Sequence, residues 1–224
     1  MNRCIVYGDI HGCLDTFIKL RDSIKSKEDD YEICVGDFLT RGPKSIETIR
    51  YLRANDIFSV RGNHEDKIIR FIEHSKLDYP NPITLNDDEK NIVDSLNAED
   101  INYLMSLPEF KKINNVTIVH AGLMNHINLE NLSKDDVKKI MRVRYLNPGG
   151  KFIAYGQETD DSVFWADQYD GNQGFIVYGH QNFKDVRVDA FSLGIDTGCI
   201  YGNKLTAAIF SNTDTLDYEI VQAK

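Results

Sequence analysis

Thiol pairs are missing from this sequence: Cys4, Cys13, Cys34 and Cys199 stand far apart and no CxxC spacing occurs. That excludes a thiolate zinc knuckle and argues against a disulfide framework. No apolar run reaches the roughly 20 residues needed to span a bilayer. The first residues, MNRCIVYGDIHG, read as a strand, not as a basic segment followed by an apolar signal core. A reducing, cytoplasmic setting is the expectation. Positive charge is in deficit too, with 26 Lys and Arg against 35 Asp and Glu and a net charge of −9. Coating nucleic acid requires a broad basic face that displaces counterions, so long nucleic acid is set aside as the main partner. A small anionic substrate held by local cations, metal ions included, fits an acidic chain. Tandem repeats and low-complexity segments are also lacking.

What is present is an ordinary globular composition, 42% apolar and 27% charged, on 224 residues. That length suits one domain, residues 1–224, with a deep core. CIVYGD (4–9) precedes helical spacing in LDTFIKLRDSI (14–24), and YEICVGD (31–37) precedes PKSIETIRYLRAN (43–55), with Ile46, Ile49 and Leu52 on one face. IFSVRGN (57–63) then leads into HEDKIIRFIEH (64–74). Three consecutive strand-turn-helix units predict a mainly parallel sheet, whose ligands gather beyond the carboxyl ends of its strands.

Residues 75–112 change character. YPNP (79–82) breaks the chain and two short helices follow, the second opened by a capping box at Asn97 and Asp100. This stretch reads as a small helical insert, either a lid or a solvated pair that only packs. NVTIVHAG (115–122) returns to strand, 132–146 reads as helix, and five β-rich segments from 174 to 222 call for a second sheet stacked on the first.

The chain has six histidines. His11, His120 and His180 each end a β-rich run, and His64 follows Asn63 in RGNHE; His74 and His126 read as ordinary surface residues. Asp9 and His11 lie two apart, which on an extended segment aims both side chains to one side. With Asp37 and Asn63 they form a mixed Asp, His and Asn set, suited to divalent manganese, iron or zinc and unlike a structural zinc site.

GDIHG, GDFLTRG, GNHE, HAG and a later GH, in that order, resemble the phosphoprotein-phosphatase type of calcineurin-like metallophosphoesterase. The resemblance implies an α/β fold, a four-layer α-β-β-α sandwich of two mixed sheets flanked by helices. It also implies two divalent ions, manganese being the expected metal and iron, zinc, cobalt and nickel the alternatives. Asp9 and His11 would hold the first ion and Asn63, His120 and His180 the second, with Asp37 bridging both. An attacking water bridges the ions in that family, where two cations acidify it and stabilise in-line displacement at phosphorus. By the same resemblance His64 is the general acid, and Arg41 and Asn63 bind the phosphoryl group. Arg142 and Arg144 would add charge around a polyphosphate tail. Arg61 has a catalytic and a structural reading of equal weight, and Asp196 reads as part of a tight turn.

GDFLTRGP departs from the protein phosphatases at Thr40, where they carry an aspartate that pairs with the histidine acid. Loss of that carboxylate weakens His64 as an acid. An alkoxide, derived from an alcohol about as weak an acid as water (pKa roughly 15.7), needs the proton. A phosphate, with a second pKa of about 6, leaves an anhydride without much help. GDFLTRGPKSIETIRYL and GIDTGCIYGNKLTA also resemble bacterial symmetrical diadenosine tetraphosphatases and related diadenosine-tetraphosphatase-like phosphatases. The expected function is therefore hydrolysis of dinucleoside polyphosphates. Serine/threonine phosphoprotein phosphatase, RNA-cap or polyphosphate hydrolase, and non-catalytic scaffold are its rivals.

Overall fold

The computed structural model describes residues 3–224. Strand β1 (Cys4–Tyr7), helix α1 (Leu14–Ile24), strand β2 (Tyr31–Cys34), helix α2 (Ser45–Ala54), strand β3 (Phe58–Ser59) and helix α3 (Asn63–His74) are the three consecutive strand-helix units. β1, β2 and β3 pair in parallel. The C-terminal strands β11 (Leu205–Asn212) and β12 (Asp217–Ala223) extend the same sheet antiparallel, in the order β12-β11-β1-β2-β3.

The second sheet joins β4 (Phe110–Ile113), β5 (Val116–Val119), β8 (Phe175–Tyr178), β10 (Ser192–Gly194) and β9 (Arg187–Val188), in the order β4-β5-β8-β10-β9. β5, β8 and β10 are parallel and form its centre. A two-stranded ribbon of β6 (Tyr145–Leu146) and β7 (Val163–Phe164) stands apart.

Strand alternation explains the layering. Cys4, Val6, Ile33 and Val35 meet Val116, Ile118, Phe175 and Val177 in a shared core between the sheets. Their neighbours Ile5, Tyr7 and Cys34 point the other way, into a core with Phe17, Leu20, Ile49, Leu52 and Ile68. On the far side of the second sheet, Ile176 and Tyr178 pack with Trp165, of helix α7 (Trp165–Gln168), and with Ile140, the last residue of helix α6 (Lys134–Ile140). Side chains at period two on two sheets, each covered by helices, give four layers, α-β-β-α.

The strand β2 also carries a buried charge. Glu32 accepts from the Tyr7 hydroxyl at 2.5 Å, from Arg21 at 2.9–3.2 Å and from Ser26 at 2.6 Å. Burial works to raise its carboxyl, yet these donors hold it below the ordinary value of 4.5. A depressed carboxyl contributes stability above that value and loses it as pH falls through the folded pKa. Glu32→Gln is therefore expected to destabilise the protein by about 2 kcal/mol at pH 7, with the difference shrinking below pH 4.5. Urea denaturation of both proteins across pH 3–7 checks this; a pH-independent gap would contradict it.

The insert forms helices α4 (Asp87–Ser95) and α5 (Ala98–Ser106), opened by capping boxes at Asn86 and Asn97. Both pack on α2 and α3. Ile92, Leu104 and Leu107 join the core, and the fully buried Asp100 meets Arg50 and Arg53 of α2. The chain at 132–146 differs from a single helix: α6 stops at Ile140. The Ile140 carbonyl accepts from the amides of Ala121 and Gly122, which takes it from Arg144 four residues on. Likewise, of the predicted strand 194–199 only the first residue, the end of β10, is strand; 195–198 is a loop that leads into a 3-10 turn, Cys199–Tyr201. All four cysteines are free. No helix among the described residues is long and apolar enough to cross a membrane.

Candidate metal centre and active site

Six parallel strand ends converge. Asp9 follows β1, Asp37 follows β2, Asn63 follows β3, His120 follows β5, His180 follows β8 and Asp196 follows β10. The chain must turn sharply at each end, and strain collects there. His11, Asp37, Thr40, Arg41 and His180 all have positive φ, between 45° and 68°, and make up five of the nine non-glycine residues with positive φ among the described residues. Each such conformation costs on the order of 1–3 kcal/mol and persists only where its surroundings dictate it. Here the loops brace one another: His11 N donates to Asp37 O, Gly12 N to Phe38 O and Thr40 N to Ser45 Oγ, each at 2.9 Å.

Asp37 Oδ2 is the hub. It lies 3.4 Å from His120 Nε2, 3.6 Å from His11 Nε2 and 3.9 Å from His64 Nε2. Two clusters share it, one with His11 and His64 and the other with His120 and His180. Asn63 Oδ1 lies 3.0 Å from His120 Nε2. Asp9 is buried beside them and accepts from the His180 amide at 3.1 and 3.3 Å, but its carboxylate belongs to neither cluster. Glycine admits these carboxylates: a Cβ on Gly179 would stand 1.8 Å from Asp9 Oδ1, and one on Gly62 would stand 2.2 Å from Asp37 Oδ1.

The tautomers are set from behind. His11 Nδ1 lies 3.0 Å from the Leu39 carbonyl and His120 Nδ1 lies 2.9 Å from the Val35 carbonyl, so each Nδ1 donates and each Nε2 faces the centre. There His120 Nε2 meets His180 Nδ1 at 3.2 Å and Asn63 Oδ1, while His180 Nε2 is buried with no hydrogen-bond partner. Whichever way His180 is protonated, one of its nitrogens is left unserved. Facing lone pairs from imidazole and amide, beside a carboxylate, suit a borderline divalent cation.

Titration follows the same geometry. Burial tends to raise Asp37, but the imidazoles around it, His120 first, hold it well below the usual carboxylate range. Burial tends to lower His120, but Asp37 wins and raises it, whereas burial lowers His11 to about 4 and His180 well below its ordinary value. Burial and the Asp196 and Asp37 charges raise Asp9, and burial pushes Asp196 up to about 6.

Arg41 and Thr40 hold His64 between them. Arg41 Nη2 lies 3.2 Å from His64 Nε2, and a guanidinium only donates, so Nε2 accepts. His64 Nδ1 then carries the proton and donates to Thr40 Oγ1 at 2.6 Å. Burial lowers the His64 pKa. Arg41 is itself steadied by donating to the Tyr201 hydroxyl at 2.6 Å.

A cavity of about 790 Å³ opens over His11, Asp37, Asn63 and His180, and Arg41, Arg142 and Arg144 all line it. Arg142 pairs with Asp66 at 2.9 Å, and Arg144 donates to Gln181 at 2.8 Å. No insert residue lines this cavity, and Arg61 turns away to the Leu107 carbonyl and Glu109, the structural one of its two readings. His74 bonds Tyr79, and neither it nor His126 joins the centre.

Sequence reading passed over Glu65. Its fully buried carboxylate accepts from the amides of Asp37 (2.8 Å), Gly62 (3.0 Å) and Leu39 (3.1 Å), tying two motif loops together. The signal was available: Glu65 is the third residue of α3, where a side chain reaches back to the capping amide.

The layered fold and the shared carboxylate between two histidine clusters define a metallophosphoesterase. Residues 3–214 match the family model of the calcineurin-like phosphoesterases, and the chain belongs to that family. Among curated relatives, the asymmetrical bis(5'-nucleosyl)-tetraphosphatase PrpE of Oceanobacillus iheyensis is 29% identical, over 92% of this chain and 87% of its own. The protein of the same name from Bacillus subtilis is 28% identical, over 94% of this chain and 92% of its own. Among solved structures, a provisionally assigned diadenosine tetraphosphatase superposes with a TM-score of 0.81 at 24% identity, over 100% of this chain and 94% of its own. A serine/threonine phosphatase from Saccharomyces cerevisiae shares the fold, with a TM-score of 0.63 at 18% identity, over 100% of this chain and 80% of its own.

Proposed function

We propose that this phosphatase is a two-metal hydrolase that cleaves a phosphoanhydride bond of dinucleoside tetraphosphates. The observation that carries the reading is the hydroxyl partner of His64. Thr40 Oγ1 sits against His64 Nδ1 and adds no negative charge there, so the imidazolium gains little support for donating a proton. Anhydride leaving groups depart as phosphates and need little protonation. The three arginines that line the cavity match a chain of several phosphates better than a single phosphoester. The names of the curated relatives agree, and their asymmetrical designation makes a nucleoside monophosphate plus a nucleoside triphosphate the expected products.

Asp9 and His11 would hold one ion, Asn63, His120 and His180 the other, and Asp37 both; manganese is the expected metal. When bound, such a pair acidifies water and neutralises phosphoryl oxygens. Arg41 orients the phosphoryl group through its planar fork, and Arg142 and Arg144 bind the remaining phosphates. His64 assists the leaving oxygen.

Turnover of diadenosine tetraphosphate against a phosphoserine peptide, with manganese supplied, tests the substrate class, and faster peptide turnover overturns it. Thr40→Asp is expected to raise activity on alkyl phosphates relative to anhydrides by about tenfold, because it supplies the missing acid partner. Aspartate also tolerates the φ of 68° at this position better than a β-branched threonine. Equal effects on both substrates would remove Thr40 from the argument.

A further inference from the structure

Five aromatic residues crowd the segment 152–169, and the structure sorts them by fate. Phe164, Trp165 and Tyr169 are buried in the core of the second sheet and Phe152 packs against it. Tyr155 alone of the five is open to solvent, at 83% exposure, and it stands on the rim of the catalytic cavity. The Arg144 guanidinium lies over its ring, 5.1 Å from the centroid, and fixes one face. A second cavity of about 510 Å³ adjoins the first and shares Arg144, Tyr155 and Gln181 with it; Glu158, Thr159 and Ser162 complete its polar side. Glu158 makes no ion pair among the described residues, so its carboxylate is free to accept from an amine.

We infer that this adjoining cavity is a nucleoside site, in which Tyr155 stacks on a purine base while Arg144 holds the first phosphate attached to that nucleoside. The inference deepens the proposed function and rests on it for the identity of the substrate. Its chemistry is local. An exposed tyrosine ring offers a large stacking face at low entropic expense, and hydroxyl and carboxylate groups beside it match ribose hydroxyls and an exocyclic amine. Arg144 stands at the junction of the two cavities, where a nucleoside passes into its phosphate chain.

Two measurements test it. In Tyr155→Ala the ratio of kcat/KM for diadenosine tetraphosphate to that for inorganic tetrapolyphosphate is expected to fall about tenfold, through KM, and Tyr155→Trp to restore it. Independently of turnover, Tyr155→Trp adds an exposed indole to a protein whose one native tryptophan, Trp165, is fully buried. AMP should quench its fluorescence, and ribose 5-phosphate should not. An unchanged ratio in Tyr155→Ala, or equal responses to the two ligands, overturns the site. If the wild type cleaves no dinucleotide, the proposed function falls, and the AMP titration still decides the nucleoside site.

Discussion

Replacing Asp37 by asparagine is expected to lower manganese-supported hydrolysis by about 10³-fold while leaving the protein folded. Asparagine keeps the size of the side chain and tolerates the φ of 49° at this position. It also keeps an oxygen for the His64 amide, which donates to Asp37 Oδ1 at 3.1 Å. What it removes is one negative charge at the point where His11, His64 and His120 meet. The remaining donors are a carboxylate at Asp9, an amide and imidazoles, too little charge to hold two dications side by side. Calorimetric manganese titration should show at least one site lost, and the metal-induced rise in Tm should shrink accordingly. Retention of a tenth or more of wild-type activity would show that Asp37 does not bridge.

Glu65→Gln is expected to unfold about 5–10 °C earlier than wild type, a loss of roughly 2–4 kcal/mol. The carboxylate serves three buried amides, and a glutamine keeps one acceptor oxygen while turning an NH₂ toward the others. At least one amide is then orphaned. Burial and the Asp37 charge push the Glu65 carboxyl up to about 7, against the pull of those amides. A raised carboxyl contributes its stability below the unfolded value and loses it as pH rises through the folded one. In metal-free protein the gap between wild type and variant is therefore widest near pH 4.5 and narrows as pH rises to about 7. Thermal melts from pH 4.5 to 8 measure it, and a gap that widens with pH would reverse the assignment. Activity should fall as well, because the amide of Leu39 and the carbonyl that orients His11 belong to one residue.

Much of the fold was legible because its signals are local. Short, mostly apolar runs in CIVY and YEIC announce strands buried on both faces, and apolar spacing in α1 and α2 announces helices on one side. Asn97 and Asp100 marked the start of α5 in the same way. The misreading of 132–146 had a non-local cause. Nothing near Ile140 in sequence says that amides from Ala121 and Gly122 will claim its carbonyl. The same holds for Arg61, whose position beside GNHE suits a phosphate ligand but whose guanidinium closes the end of the insert.

By themselves the residues determined the chemistry on offer: carboxylates, imidazoles and an amide at strand ends, arginines nearby and no thiolates among them. Strand ends and ligand types are written within a few residues, by β propensity and side-chain chemistry, and need no partner to be read. The tertiary structure alone decided which nitrogen of each histidine faces the centre, that Glu65 ties two loops, and that Tyr155 stands free while its aromatic neighbours pack. Those outcomes depend on contacts between loops that follow different strands, and for His120 and Val35 on contacts between the two sheets, which exist only once the chain has folded.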